Sequence, residues 1–396
     1  MIVKPRIKGF VCITSHPLGC MASVKQQAEL AALNKIRTDS SVKRALIIGA
    51  STGYGLSSRI VSAYSAGADT LGVYFERPPK EDKPASAGFY NSLAFNELTK
   101  SLDSQHVDVN GDAFSNECKT EVLEKAKQLG GAFDLVIYSL ASPRRTDPES
   151  GNTFRACLKP IGAVYRNKTL DTDRKEVKEV TIDPANDDEI EHTRKVMGGE
   201  DWKLWTELLL RENLLADGCV NLAYSYIGPE VTQPIYRNGT IGRAKEDLES
   251  SASEISALMR KHCSGKAFVS VNKAVVTQAS SAIPVVPLYV SLLFKVMREQ
   301  GTHEGCIEQI IRMFNERLFT EDDAVPVDDN GRIRLDDWEM DPVIQEEVIR
   351  AWGSITTENL LETTNFKQYQ EEFLKLFGFG FDEVDYTKEV DLINPF

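Results

Sequence analysis

Tyr226, Tyr236 and Lys245 all fall in one stretch, YIGPEVTQPIYRNGTIGRAK, residues 226–245. A phenolic hydroxyl donates a hydrogen bond to an oxygen that gains negative charge during a reaction, and it can hand over a proton. A lysine beside it lowers the tyrosine pKa and binds phosphates or sugar hydroxyls. Tyr236 and Lys245 lie nine residues apart. On one straight helix, at about 100° per residue, they would face opposite ways. Pro234, Gly239 and Gly242 argue instead for a loop that folds Tyr236 back over the start of a helix carrying Lys245. The preceding apolar run, 219–224, reads as a buried strand with Tyr226 at its C-terminal end. Each residue also has a plainer use. Tyrosines near strand ends commonly pack, and Lys245 could be a surface charge. Its sign is unfavourable in a first helical turn, which points to an anionic ligand.

The elements that must position these side chains alternate along the chain. Short apolar runs at 44–50, 70–76, 104–110 and 133–141 read as strands, and the first has the unbroken apolar character of a strand buried on both faces. Helices are expected between them, the first ending on Gly67, the later ones near 89–103 and 115–129. Strands at 219–228 and 266–276 resume the series after an interruption. Such alternation predicts an α/β fold, a doubly wound, mostly parallel Rossmann-type sheet. The chain, 1–396, reads as one large domain with an N-terminal extension (1–43), a hairpin insertion (142–186) and a C-terminal helical extension (320–396). Within the first extension, 6–16 reads as a strand or hairpin arm and 21–38 as a helix. The hairpin turn is expected near 171–173, and a long helical region at about 187–216.

GASTGYG, residues 49–55, lies between the first strand of this series and its helix. Glycines there permit a tight turn and a close approach of backbone to a pyrophosphate, and the helix N-terminus supplies free N–H groups. Gly49, Ser51, Gly53, Tyr54 and Gly55 are therefore candidate dinucleotide ligands. Phe75 and Glu76 end the second strand, where a carboxylate binds both ribose hydroxyls and repels a 2′-phosphate. The expected cofactor is NADH rather than NADPH, with Arg77 and Lys80 positioned to soften the preference. Asp112 and Ala113 follow the third strand within reach of the adenine. Ser139, Leu140 and Ala141 close the fourth strand beside the cofactor.

Composition excludes several classes. The net charge of −13 argues against an extended nucleic-acid surface. Seven scattered cysteines without a CxxC argue against a zinc site, and read as reduced thiols in a cytoplasmic protein. Five isolated histidines give no metal-ligand spacing. The start of the chain lacks a signal-peptide pattern. The most apolar stretch, 275–297, is broken by Thr, Gln, Ser and Pro, and reads as a buried helix rather than a membrane span. The acidic run 320–329 reads as a solvated loop.

Hydride entering the β-carbon of an α,β-unsaturated thioester drives charge onto the carbonyl oxygen, the demand that Tyr236 and Lys245 suit. AYSYIGPEVTQPIYRNGTIGRAK resembles the Tyr-x8-Lys signature of FabV-type enoyl reductases, also described as trans-2-enoyl-CoA reductases, an extended branch of the short-chain dehydrogenases. The resemblance spans nearly the whole chain. It includes HPLGC (16–20), GASTGYGLSSRI, GDAFS (111–115), YSLASPRRTDP, KVMGGEDW, SVNKAVVTQASSAIPV, HEGCIEQI and DDWEMD. It implies a monomeric, NADH-dependent reductase of enoyl thioesters in fatty acid synthesis, with Tyr236 catalytic, Lys245 its partner, and Tyr226 on the thioester carbonyl. It also implies that 276–284 closes over the cofactor and begins the buried helix, with Thr277 at the nicotinamide or diphosphate and Ser280, Ser281 and Ile283 in the acyl pocket. The usual Tyr-x3-Lys pair of short-chain dehydrogenases has no counterpart at the expected place. Coenzyme A and acyl carrier protein share a pantetheine arm, and Arg144, Arg145, Lys159 and Arg166 are candidates for a carrier-docking patch. Two rival readings fit the same residues: a carbonyl (3-oxoacyl) reductase on this scaffold, and a non-catalytic NADH-binding regulator.

Overall fold

The computed structural model describes residues 1–9, 11–36, 42–320 and 324–396. Strands β1 (Ile7–Lys8) and β2 (Val11–Cys12) form a short antiparallel arm before helix α1 (Pro17–Leu33). Then β3 (Arg44–Ile48), α2 (Gly53–Tyr64), β4 (Asp69–Tyr74), α3 (Ala87–Thr99), β5 (His106–Asn110), α4 (Asn116–Gln128) and β6 (Phe133–Tyr138) alternate. Two antiparallel hairpins interrupt the series, β7 (Arg144–Thr146) with β8 (Thr153–Arg155), and β9 (Tyr165–Asp171) with β10 (Glu176–Ile182). Helices α5 (Asp187–Met197) and α6 (Glu200–Arg211) lead to β11 (Leu215–Ser225), α7 (Thr240–Cys263) and β12 (Lys266–Val271). One-turn α8 (Gln278–Ser281), buried α9 (Val286–Glu299) and α10 (Cys306–Met313) follow. The tail adds β13 (Ile333–Arg334), α11 (Pro342–Ser354), α12 (Leu360–Thr363) and α13 (Phe366–Lys375).

Seven strands make one sheet in the order β13-β12-β11-β6-β3-β4-β5. The expected "mostly parallel" sheet is parallel at every pairing, and the antiparallel ladders are confined to the arm and hairpins. The strand order reverses between β3 and β6, which opens a crevice above their C-terminal ends. Helix boundaries differ from expectation where capping is strong. α1 begins earlier than 21 because the His16 side chain accepts from Gly19 N–H and Pro17 occupies the first turn. The helix expected to 38 stops at Leu33, and 37–41 lie outside the described residues. The long helical region begins at a capping box of Asn186 and Glu189 and divides at Gly198–Gly199, where Gly198 turns extended to end α5 and both glycines pack close against Asp247 and Ser251 of α7. The segment 276–284 does not begin α9. Thr277 caps the separate turn α8, and α9 starts afresh at Val286 with a proline in its first turn.

Side chains dock the outer helices by specific bonds. Trp202 and Trp205 of α6 are fully buried, with indole N–H groups on Asn221 (2.7 Å) and the Ala113 carbonyl (3.1 Å). Nearly all of α9 is buried against β9 and the tail helices α11 and α13, each large apolar side chain contributing about 1.5–3 kcal/mol. Among the described residues no helix is long and apolar enough to cross a membrane. Residues 321–323 of the acidic run lie outside the described residues. Its Asp328 is not merely solvated but pairs with Arg332 at 2.8 Å.

Candidate active site

The turn from β3 into α2 is pinned from below, because Gly49 and Ala50 N–H groups both donate to the Val73 carbonyl at 2.8 and 2.9 Å. Gly49 has φ +97°, and a Cβ there would stand 2.2 Å from the Ser139 carbonyl oxygen. A Cβ on Gly55 would stand 1.9 Å from the Gly49 carbonyl. Only glycine allows this depth of backbone, and the space above is shaped for an equally close ligand. Thr52, the residue before α2, makes no side-chain capping bond, so the first N–H groups of the helix stay available to an anion. Glu76 is clamped at the end of β4. Its backbone exchanges two bonds with the Asn110 side chain (2.8 and 3.0 Å), and its carboxylate accepts from Ser51 at 2.7 Å.

A cavity of about 470 Å³ lies over this turn. It is lined by Gly49, Ser51, Gly53, Tyr54, Phe75, Glu76, Asp112, Ala113, Ser139, Leu140 and Ala141 on one side, and by Tyr226, Tyr236, Lys245, Thr277, Ser280 and Ile283 on the other. Phe75 is 73% exposed there, a flat apolar surface at the mouth. Gly55 lies beneath, supporting Gly49. Ser281 stands apart from the other expected residues. It is buried away from the cavity with its hydroxyl 3.3 Å from Tyr369 of α13, because one turn of α8 directs Ser280 and Ser281 to different sides.

The loop 226–239 does fold back. Gly239 and Gly242 N–H groups both donate to the Tyr236 carbonyl, at 3.1 and 3.0 Å, so the tyrosine sits against the start of α7. Tyr226 and Tyr236 meet edge to face, with ring centroids 5.2 Å apart. Burial pushes the Tyr236 hydroxyl well up, and Lys245 does not counter it. The expected lowering of this tyrosine by lysine is thus not what the fold produces. Lys245 donates to the Tyr224 carbonyl at 3.2 Å, and burial lowers its own pKa to about 8, with Glu249 opposing.

The expected docking patch is reduced. Arg145 is 1% exposed, donating to the Lys195 carbonyl (2.9 Å) and lying 3.6 Å from Glu200, and Lys159 is paired with Glu189 at 2.6 Å. Arg144 and Arg166 remain exposed. Two ionisable residues of the site were not singled out by sequence reasoning. Lys273 lines the cavity at 1% exposure, its ammonium on the Ala274 and Glu304 carbonyls at 3.0 and 3.2 Å. Glu339, wholly buried, accepts the Tyr226 hydroxyl at 3.0 Å. A lysine inside the apolar run VNKAVV was a usable signal, since lysine is rarely buried without purpose. Nothing in the local sequence distinguishes Glu339 from its acidic neighbours. Among the described residues no group of three or more His, Cys, Asp and Glu could hold a metal ion.

Three family models match the chain: the NAD(P)H binding domain of trans-2-enoyl-CoA reductase over residues 2–81, the trans-2-enoyl-CoA reductase catalytic region over 83–319, and an enoyl reductase FAD binding domain over 327–390. An enoyl-[acyl-carrier-protein] reductase [NADH] of Flavobacterium johnsoniae is 53% identical, covering 99% of this chain and 98% of its own. A trans-2-enoyl-CoA reductase [NADH] of Ruminiclostridium cellulolyticum is 51% identical, with the same coverage of 99% and 98%. The crystal structure of Treponema denticola trans-2-enoyl-CoA reductase in complex with NAD superposes with a TM-score of 0.94 at 47% identity, covering 98% of each chain. Residues 327–390 do not suit a flavin. They contain one two-residue strand and no glycine-rich strand-to-helix turn, and Trp352, Tyr369 and Phe373 are spent on the core around α9.

Proposed function

The chain belongs to the NADH-dependent trans-2-enoyl-CoA and enoyl-[acyl-carrier-protein] reductase family, and from that premise we propose how its own residues carry out the reaction. It is an oxidoreductase that reduces the trans-2 double bond of enoyl thioesters with NADH, in fatty acid synthesis. The residues fit the cofactor: a glycine cradle that a Cβ would fill, an open helix start, and a clamped carboxylate at the end of β4. When bound, NADH supplies the hydride for C3 of the enoyl group.

Glu76 and Ser51 would take the adenine ribose hydroxyls, and the negative charge of Glu76 disfavours a 2′-phosphate. Asp112, Ala113 and Phe75 would flank the adenine, and the backbone of Gly49–Tyr54 the diphosphate. Ser139, Leu140, Ala141 and Thr277 would hold the nicotinamide half. Lys245 would bind the nicotinamide ribose or the phosphates as a cation. Tyr226 and Tyr236 would stabilise the enolate oxygen, and Tyr236 would supply a proton. Their elevated pKa values keep both as phenols, the form that donates. Ser280 and Ile283 would border the acyl chain.

The observation that carries this reading is the convergence of two edge-to-face tyrosines and Lys245 on the cavity that the glycine turn also lines. The test is loss of NADH absorbance with crotonyl-CoA and with crotonyl-acyl carrier protein, beside acetoacetyl-CoA as the carbonyl-reductase control. Turnover of either enoyl thioester without turnover of the ketone is expected. Turnover of acetoacetyl-CoA alone would overturn the reading. We read the chain as a single domain, because the tail supplies β13 to the main sheet and Glu339 to the site. We also read it as a cytoplasmic monomer. Its seven cysteines are all free, as in a reducing compartment. Sedimentation at working concentration checks the second point.

A further inference from the structure

Glu339 lies behind the cavity-lining Tyr226, in DDWEMD, 336–341, where its neighbours are each tied down. Asp336 pairs with Arg334 at 2.7 Å, and Asp337 with Arg312 and Arg317 at 2.9 Å each. Trp338 lies under the Arg312 guanidinium at 4.3 Å, and Asp341 caps α11 by accepting from Val343 N–H at 2.8 Å. The segment is therefore rigid, and Glu339 is aimed inward with none of its side chain exposed. Its Oε2 accepts the Ala274 N–H at 2.6 Å. Its Oε1 faces two hydroxyls, Tyr289 at 2.6 Å and Tyr226 at 3.0 Å.

The direction of these bonds is fixed at every point but one. Gln345 Nε2 donates to the Glu339 backbone carbonyl at 2.6 Å, a bond that only the amide nitrogen can make. The same nitrogen donates to the Tyr289 hydroxyl oxygen at 3.2 Å, so the proton of Tyr289 is directed at Glu339 Oε1. Ala274 N–H is a backbone donor and holds Oε2 as an acceptor. Only the Tyr226 bond can reverse. With Glu339 ionised, the single hydroxyl proton of Tyr226 points back to the carboxylate. With Glu339 protonated, the carboxyl proton lies on Oε1 toward Tyr226, and the Tyr226 proton is released toward the cavity.

We propose that Glu339 is the positioning residue that sets which way Tyr226 donates, making Tyr226 a donor to the thioester oxygen only while Glu339 carries a proton. This deepens the enoyl reductase reading and rests on it. The groups around Glu339 that bear on its titration are Tyr54 on α2, Tyr226 after β11, Lys273 and the Ala274 N–H after β12, Tyr289 on α9, Gln345 on α11, and Asp336 in its own segment. Burial raises its pKa and the Lys273 cation opposes that, so the protonated form persists above the ordinary carboxylate range. The proton balance closes. C3 gains the hydride and the π pair moves onto the thioester oxygen. Tyr226 and Glu339 keep their protons as hydrogen-bond donors, and the Tyr236 proton passes to C2 of the enolate. A solvent proton then restores Tyr236, so one proton is consumed with each hydride.

The test is kcat with crotonyl-CoA at saturating NADH, from about pH 6 to pH 10, for wild type, Glu339→Gln, Tyr226→Phe and the double variant. Wild type is expected to lose kcat by about tenfold per pH unit once Glu339 ionises. Glu339→Gln should lack that limb, because an amide does not ionise: with its oxygen on the Ala274 N–H, its nitrogen donates to Tyr226 at every pH and the Tyr289 hydroxyl turns away from it. In the Tyr226→Phe background, Glu339→Gln should change nothing further. Any limb from Lys245 is common to all four and cancels from the comparison. The proposal is overturned if Glu339→Gln keeps the whole wild-type alkaline limb, or if it acts equally with and without the Tyr226 hydroxyl. Should Glu339→Gln fail to fold, Tyr226→Phe decides: loss of the limb supports the proposal and its retention overturns it. A wild type that leaves NADH unoxidised with either enoyl carrier refutes the preceding reading, an outcome distinct from a limb retained by an active enzyme.

Discussion

The two sides of the crevice are built by different means. On the cofactor side, β3 to β6 deliver backbone: carbonyls stacked beneath Gly49 and Gly55, open N–H groups at α2, and a carboxylate held by its own strand-end neighbours. On the acyl side the working groups are side chains from segments far apart in the chain: Tyr226, Tyr236, Lys245, Lys273 and the remote Glu339. A surface made of backbone tolerates little change in shape. One made of side chains tolerates shape changes and depends on proton positions. The first should fail through binding when perturbed, the second through rate.

The largest expected effect lies on the acyl side. Tyr236→Phe removes one hydroxyl and keeps the ring that packs on Tyr226, so kcat with crotonyl-CoA should fall by about 10²–10⁴ while NADH affinity, measured by fluorescence, holds. A fall in NADH affinity instead would erase the proposed division. Next comes the cofactor side. Gly55→Ala forces a Cβ onto the Gly49 carbonyl, an overpacking of about 1–3 kcal/mol. NADH affinity should drop by at least tenfold and the thermal midpoint should fall, with a smaller change in kcat at saturation.

Glu76→Ala removes the charge facing a 2′-phosphate, and kcat/KM for NADPH should rise by about tenfold relative to NADH. The smallest effect crosses the divide. Burial lowers the Lys245 pKa to about 8, so its positive charge is expected to fade as the pH rises through that range. NADH affinity should therefore weaken by about threefold to tenfold between pH 7 and pH 9.5, and Lys245→Met should flatten that dependence. A flat wild-type profile would remove Lys245 from the cofactor.

The same division governs what could be read in advance. The place of the glycine turn, Glu76 and Asp112 on the cavity was legible because each is fixed at a strand end, a local relation. The fold-back of Tyr236 was legible because Pro234, Gly239 and Gly242 rule out a straight helix. Ser281 was misplaced because one turn of helix carries adjacent residues to different sides. Arg145 passed for a surface charge because nothing in its own hairpin shows the Lys195 carbonyl and Glu200 that enclose it. Glu339 was invisible as a site residue because its partners, Tyr226 and Tyr289, are 113 and 50 residues away.

The amino-acid sequence by itself determined the order of strands and helices, the glycine cradle and the carboxylate at the second strand end. Hydrophobic period and turn chemistry act over a few residues, and the right-handed crossover rule then orders the sheet. Tertiary structure alone decided which buried groups face one another: Lys245 on the Tyr224 carbonyl rather than beneath a lowered Tyr236, and Glu339 behind Tyr226. Desolvation and hydrogen-bond direction are properties of the packed interior, where a group's charge depends on neighbours that the chain brings from a distance.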